Sequence, residues 1–156
     1  MTVRVVVATD RLRDPEPHEN ALHAVASRTL ARTLERSGRP VCLAAPAALP
    51  VRSGSLAEAV LDRSTTAHDL AAAVREASRA LAPGGTLAFA VTLRIGHAGL
   101  WRRAASAILP IAAPRDPDAV ARDLVLAGFD RVEIDLQGST GRYRARRLRG
   151  RAGNSP

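Results

Sequence analysis

The sequence predicts a single α/β domain: a mostly parallel sheet with helices on both faces, closed by a C-terminal antiparallel β-hairpin. Three observations carry that expectation. Short apolar runs at Val3–Ala8, Val41–Ala45, Leu56–Leu61 and Thr86–Leu93 have the continuous hydrophobicity of strands buried on both faces. Segments of helical period separate most of them. Near the end, Arg131–Gln137 sets Val132, Ile134 and Leu136 against charged positions, a turn follows at Gly138–Gly141, and Arg142–Leu148 returns as the hairpin partner.

Taken in order, the Val-rich first run leads into a polar, proline-containing segment, Thr9–His18. Helical period is then read over Glu19–Ser37, with Leu22, Val25, Ala26, Leu30 and Leu34 as its apolar stripe and Gly38 and Pro40 as its stop. Leu49–Ser55 is a turn-rich link into the third strand. Thr66-Ala67-His68-Asp69 has the form of a capping box with Asp for the preferred Glu, and it opens a helix reaching Leu81. Pro83-Gly84-Gly85 turns the chain into the fourth strand. Gly96–Ala113 is read as partly helical. Asp116-Pro117 starts a further helix and Gly128 stops it. The domain is expected to span residues 1–149, with 150–156 as a disordered tail.

Composition narrows the chemistry. All 23 basic residues are arginine, which excludes a Schiff-base lysine and a P-loop lysine. The formal charge of +8 invites a nucleic-acid reading. Its densest patch, Arg142, Arg144, Arg146, Arg147, Arg149 and Arg151, has one aromatic neighbour and no nucleic-acid module. A solvated edge strand blunted by charge accounts for it better, so nucleic acid is not the expected partner. One cysteine, Cys42, gives neither an internal disulfide nor a metal cluster. No apolar run reaches the roughly 20 residues of a membrane span, and no signal-type N-terminus is present. A cytoplasmic protein is the expectation.

Three motifs in order resemble the C-terminal part of class I S-adenosylmethionine-dependent methyltransferases. Leu49-Pro50-Val51-Arg52-Ser53-Gly54-Ser55-Leu56 is similar to the family's approach to its fourth strand. Arg79-Ala80-Leu81-Ala82-Pro83-Gly84-Gly85 is similar to its helix-to-fifth-strand turn, and Ala127-Gly128-Phe129 with Val132 to its step into the closing hairpin. The resemblance covers Leu49–Leu148, about two thirds of the chain. It implies a shortened Rossmann-like sheet whose cofactor would lie at the C-terminal strand ends. It also implies positions that are empty here. The loop after the first strand has no glycine, the place of the adenine-contacting acid falls at Ala45, and that of the fourth-strand Asp falls at Ala57, beside Glu58. The resemblance thus implies a degenerate member. Such a chain needs no cofactor when isolated and serves as an accessory or binding subunit, or uses its crevice for cofactor-independent chemistry on a small molecule such as a secondary metabolite. The alternative is a methyltransferase whose S-adenosylmethionine site a partner completes.

Asp10 is the one candidate cofactor residue. It would take the place of the ribose-binding acid if Val3–Ala8 matched the family's second strand. The preferred assignment puts Val3–Ala8 in the central slot of a six-stranded sheet, with Val41–Ala45 beside it, and Asp10 then only lines the crevice. Candidate catalytic residues are His97, a possible general base, and Asp62. Trp101, Arg94 and Arg63 are candidate substrate contacts near the same strand ends. His18 and His23 stand at i and i+5, about 140° apart on a helix, so no zinc pair is expected. The exposed Val41–Ala45 edge predicts pairing, as a homodimer or with a partner subunit.

Overall fold

The computed structural model describes residues 4–8, 22–25, 28–36, 41–62, 69–94 and 114–148. Seven strands form one sheet: β1 (Arg4–Ala8), β2 (Leu22–Val25), β3 (Val41–Leu43), β4 (Leu56–Leu61), β5 (Leu81–Thr92), β6 (Phe129–Gln137) and β7 (Thr140–Arg147). The described helices are α1 (Arg28–Arg36), α2 (Leu70–Ala80) and α3 (Pro117–Leu126). The strand order is β3-β2-β1-β4-β5-β7-β6. Every neighbouring pair is parallel except those made by β7, which runs against both β5 and β6. The expected α/β architecture with its closing hairpin is therefore present.

Two expectations are corrected. Leu22–Val25 is a strand, not the first turn of a helix that starts at Glu19; the helix begins at Arg28. A four-residue run satisfies either period, and pairing on both sides decides for the strand. Leu22–Val25 lies between β1 and β3, so Val41–Leu43 is not the neighbour of the first strand and the sheet has seven strands instead of six. The first strand does hold the central place, paired with β2 on one side and β4 on the other.

The registers align side chains into rows across the sheet. Val5, Ala59, Leu87 and Ala145 form one row, and Val7, Leu61, Phe89 and Tyr143 the next. All eight are buried and join Leu70, Val74 and Ala77 of α2 and Val120 and Leu124 of α3 in one core. Phe89 and Tyr143 stack at 5.0 Å between centroids. Small residues keep these layers close. A Cβ at Gly141 would come within 2.5 Å of Leu93 Cδ1 and 2.9 Å of Tyr143 Cε2, so only glycine lets Leu93 lie against the tyrosine ring.

Local chemistry sets the helix ends. Asp69 Oδ1 accepts from the Ala72 amide at 3.0 Å, and Asp116 Oδ1 from Asp118 at 2.9 Å, as N-caps. Pro117 follows at the first helical position. Gly128, with φ +85°, ends α3.

Two of the sequence motifs meet at the end of the sheet remote from the C-terminal strand ends. Arg79 on α2 donates through Nε to Glu76 Oε2 (2.9 Å) and through Nη2 to Glu76 Oε1 (2.7 Å). Its other bonds reach the link: Leu49 O (3.1 Å), Val51 O (3.0 Å) and Ser53 Oγ (2.9 Å). Glu76 Oε1 also accepts from the Leu49 amide at 2.7 Å. The guanidinium thus fastens the chain before β4 to the helix after it, using the planar fork that arginine alone supplies.

Candidate functional site

In open parallel sheets, ligands lie beyond the C-terminal strand ends where the winding direction changes. Here that point falls between β1 and β4, because the chain runs from β1 outward to β3 and then returns to the other side. Asp62 is the first residue after β4, and its amide donates to Val7 O of β1 at 2.9 Å. The pairing of the two strands therefore extends to the rim and holds Asp62 there, only 2% exposed. Asp62 is thus a buried acid at the switch point of the sheet.

The end of β5 is built differently. Leu93 N–H bonds Ser139 O toward the hairpin, while Arg115 N–H bonds Thr92 O and Arg94 N–H bonds Arg115 O, both at 2.8 Å. Backbone direction alternates along a strand. The segment around Arg115 consequently runs along β5 on the side where β4 would have continued.

Of the six candidate site residues, Asp62 and Arg94 are described; Asp10, Arg63, His97 and Trp101 lie outside the described residues. The structure does not bring the two together. Leu61 pairs with Phe89, so Asp62 is level with Ala90, and Arg94 stands four positions further on, about 13 Å along the strand. Arg94 is exposed. The central place of β1 agrees with the preferred assignment of Val3–Ala8, and the second-strand slot belongs to Leu22–Val25. Ala26 and Ser27 follow that strand in sequence, and neither is an acid. Sequence reasoning missed this position only because it missed β2.

Ala45 is exposed in a bridge to Ala48. Ala57 is exposed, and Glu58 is half-buried opposite Arg4, at the end of β4 away from the crevice. Among the described residues no group of three His, Cys, Asp or Glu could hold a metal. Cys42 is half-buried in β3, where burial raises its thiol pKa, the opposite of an activated nucleophile. No described helix is long and apolar enough to cross a membrane.

A sheet of this order, with its one reversed strand in the closing hairpin, defines the fold of class I S-adenosylmethionine-dependent methyltransferases, and solved structures agree. The chain is similar to a SAM-dependent methyltransferase of Thermotoga maritima, described as a possible histamine N-methyltransferase (TM-score 0.72, 16% identity, 92% of this chain and 81% of that one). It is also similar to the YcgJ protein of Bacillus subtilis (TM-score 0.73, 10% identity, 96% and 93%). A third neighbour is the putative methyltransferase of Haloferax volcanii in complex with the Trm112 methyltransferase activator (TM-score 0.70, 13% identity, 94% and 84%). No protein-family model and no curated protein sequence matches the chain. At these identities the likeness establishes the fold, and function has to be argued at the site.

Proposed function

We propose that this chain is a methyltransferase-fold protein that does not transfer methyl groups on its own. It serves as an accessory or binding subunit, or uses its crevice for a small molecule without the methyl donor. The observation that carries this reading is the central position of β1. It makes residues 9–21 the segment that leaves the switch point, and that segment contains no glycine while holding Pro15 and Pro17. A cofactor that packs against backbone needs positions without a Cβ, and this segment has none. The absence of an acid at Ala26 and Ser27 removes a second polar anchor. Within the crevice, Asp62 is the group that orients a hydroxyl or amine of the ligand. His97 would act as base, Trp101 as an apolar wall, and Arg63 and Arg94 as contacts for anionic groups. Calorimetry of the purified chain with S-adenosylmethionine tests the reading: no binding heat is expected, and micromolar binding by a lone protomer overturns it.

One observation favours a second reading, in which a partner completes the cofactor site: a structural neighbour was solved with an activator subunit. The two separate cleanly, because the second requires S-adenosylmethionine to bind once a co-purifying partner is present. Nucleic acid is disfavoured by the sheet face that carries Arg142, Arg144 and Arg146, since Glu133 and Asp135 of β6 stand opposite two of those arginines.

A further inference from the structure

The sheet has two edges, and they are built differently. At β3 only three residues are paired, and a short edge strand offers little to a second chain. At β6 nine residues run along the rim. The core rows end there without cover: Ile134, next to buried Tyr143 in register, is 49% exposed, and Leu136 is 57% exposed. The other large exposed apolar side chains among the described residues flank the start of β6, at the opposite end of the strand. Val125 and Leu126 close α3, and Leu148 donates its amide to Gly128 O just beyond them. Ile134 and Leu136, exposed together on a long sheet edge, mark that part of β6 as an interaction surface.

The backbone at this edge is available for pairing. Leu148 N–H points toward β6, so by alternation Arg146, Arg144 and Arg142 direct their backbone groups to β6 as well. Their register partners are Arg131, Glu133 and Asp135. Val132, Ile134 and Leu136 therefore present their amides and carbonyls outward.

We propose that β6 pairs antiparallel with β6 of a second copy of this chain, about a two-fold axis through Glu133. This deepens the subunit reading above, and its test is independent of cofactor binding because it reads mass. Charge and apolar contact together select this register: one centred on Val132 would pair Arg131 with Glu133 but leave Ile134 opposite Asp130. Arg131 faces Arg146 within the chain, an unfavourable like pair. In the dimer Arg131 meets Asp135 of the partner subunit, twice by symmetry. On the apolar face Val132 meets Ile134 of the partner subunit, also twice, and these become the hydrogen-bonded pairs. The two Glu133 side chains meet on the axis, each with its own Arg144 across the hairpin. A register centred on Ile134 would oppose Glu133 to Asp135 twice, two acid pairs where the register centred on Glu133 has one, and would leave Arg131 without an acid opposite.

The experiment uses the whole chain with light scattering and native mass spectrometry. The wild type is expected as a dimer at micromolar concentration. Arg131→Asp alone and Asp135→Arg alone each create like-charge pairs, so each should raise the dimer dissociation constant by on the order of a hundredfold. Mixing those two variants restores both pairs and should give only the heterodimer, and the double exchange in one chain should again dimerise. In a Cys42→Ser background, Glu133→Cys sits on the axis in a non-hydrogen-bonded pair, about 4.5 Å between Cα atoms. It should cross-link on mild oxidation. A monomeric wild type overturns the proposal. So does a dimer that neither cross-links at 133 nor answers to the charge exchange, which would move the interface elsewhere, to β3 or to a different protein.

Discussion

Replacing Arg79 with alanine tests whether the link before β4 is held by one side chain. The substitution deletes five hydrogen bonds at once, two to Glu76 and three to the segment Leu49–Ser53. At roughly 1 kcal/mol net for each bond the gross loss is about 5 kcal/mol. The Arg79 side chain is 38% exposed, so water replaces part of what is lost, and about 2–3 kcal/mol remains after that discount. For a chain of this size that corresponds to a fall in Tm of about 5–10 °C. Arg79→Lys, which keeps charge but not the fork, should lose most of the same amount. Urea unfolding followed by circular dichroism measures it. A loss of about 0.5 kcal/mol or less would match an ordinary i,i+3 surface pair and refute the clamp.

The same network sets an acid dependence. The hydrogen bond from Arg79, assisted by the Leu49 amide and opposed by desolvation, holds the Glu76 carboxyl below its usual value. A depressed folded pKa contributes stability that is complete above the unfolded value of about 4.3 and is lost as pH falls through the lower folded value. The difference between wild type and Arg79→Ala should therefore shrink on going from pH 6 toward pH 3, and a constant difference would contradict the assignment. Tyr143→Phe should be neutral or stabilising by up to about 1 kcal/mol in thermal unfolding, because the buried hydroxyl has no hydrogen-bond partner among the described residues. A loss of stability would mean that it has one. Gly141→Ala should cost about 1–3 kcal/mol through overpacking against Leu93 and Tyr143, and a neutral result would show that Leu93 can move aside. Ser78→Ala should cost about 1 kcal/mol, since its Oγ donates to Ala127 O and ties α2 to the end of α3; no measurable change in the urea midpoint would remove that tie from the account.

Much of the C-terminal architecture was legible because its signals are local. Asp116 caps the helix that it was read to start, Asp69 caps its helix as the N-cap itself and not as the fourth residue of a capping box, Gly128 takes the positive φ expected of a stop, and the alternation of Arg142, Tyr143, Arg144, Ala145 and Arg146 matches the two faces of β7. Leu22–Val25 was misread because a short buried parallel strand has no period of its own. Only its neighbours β1 and β3 identify it, and those pairings are not local in sequence. That one error displaced Val41–Leu43 by a strand and left Asp10 as a ribose-site candidate. Asp62 was identified from its place at a strand end, but its burial depends on Val7, fifty-five positions earlier by number (62 − 7 = 55). The clamp was visible only as two separate motifs, since nothing in Leu49–Ser55 announces that its carbonyls face Arg79.

The account stands or falls on whether the crevice above β1 seats the methyl-donor cofactor in a lone chain. The urea midpoint with and without 1 mM S-adenosylhomocysteine reads this directly. A ligand held at 10 μM would add about 2.7 kcal/mol at that concentration. The account predicts no shift, and a stabilisation of that size would contradict it.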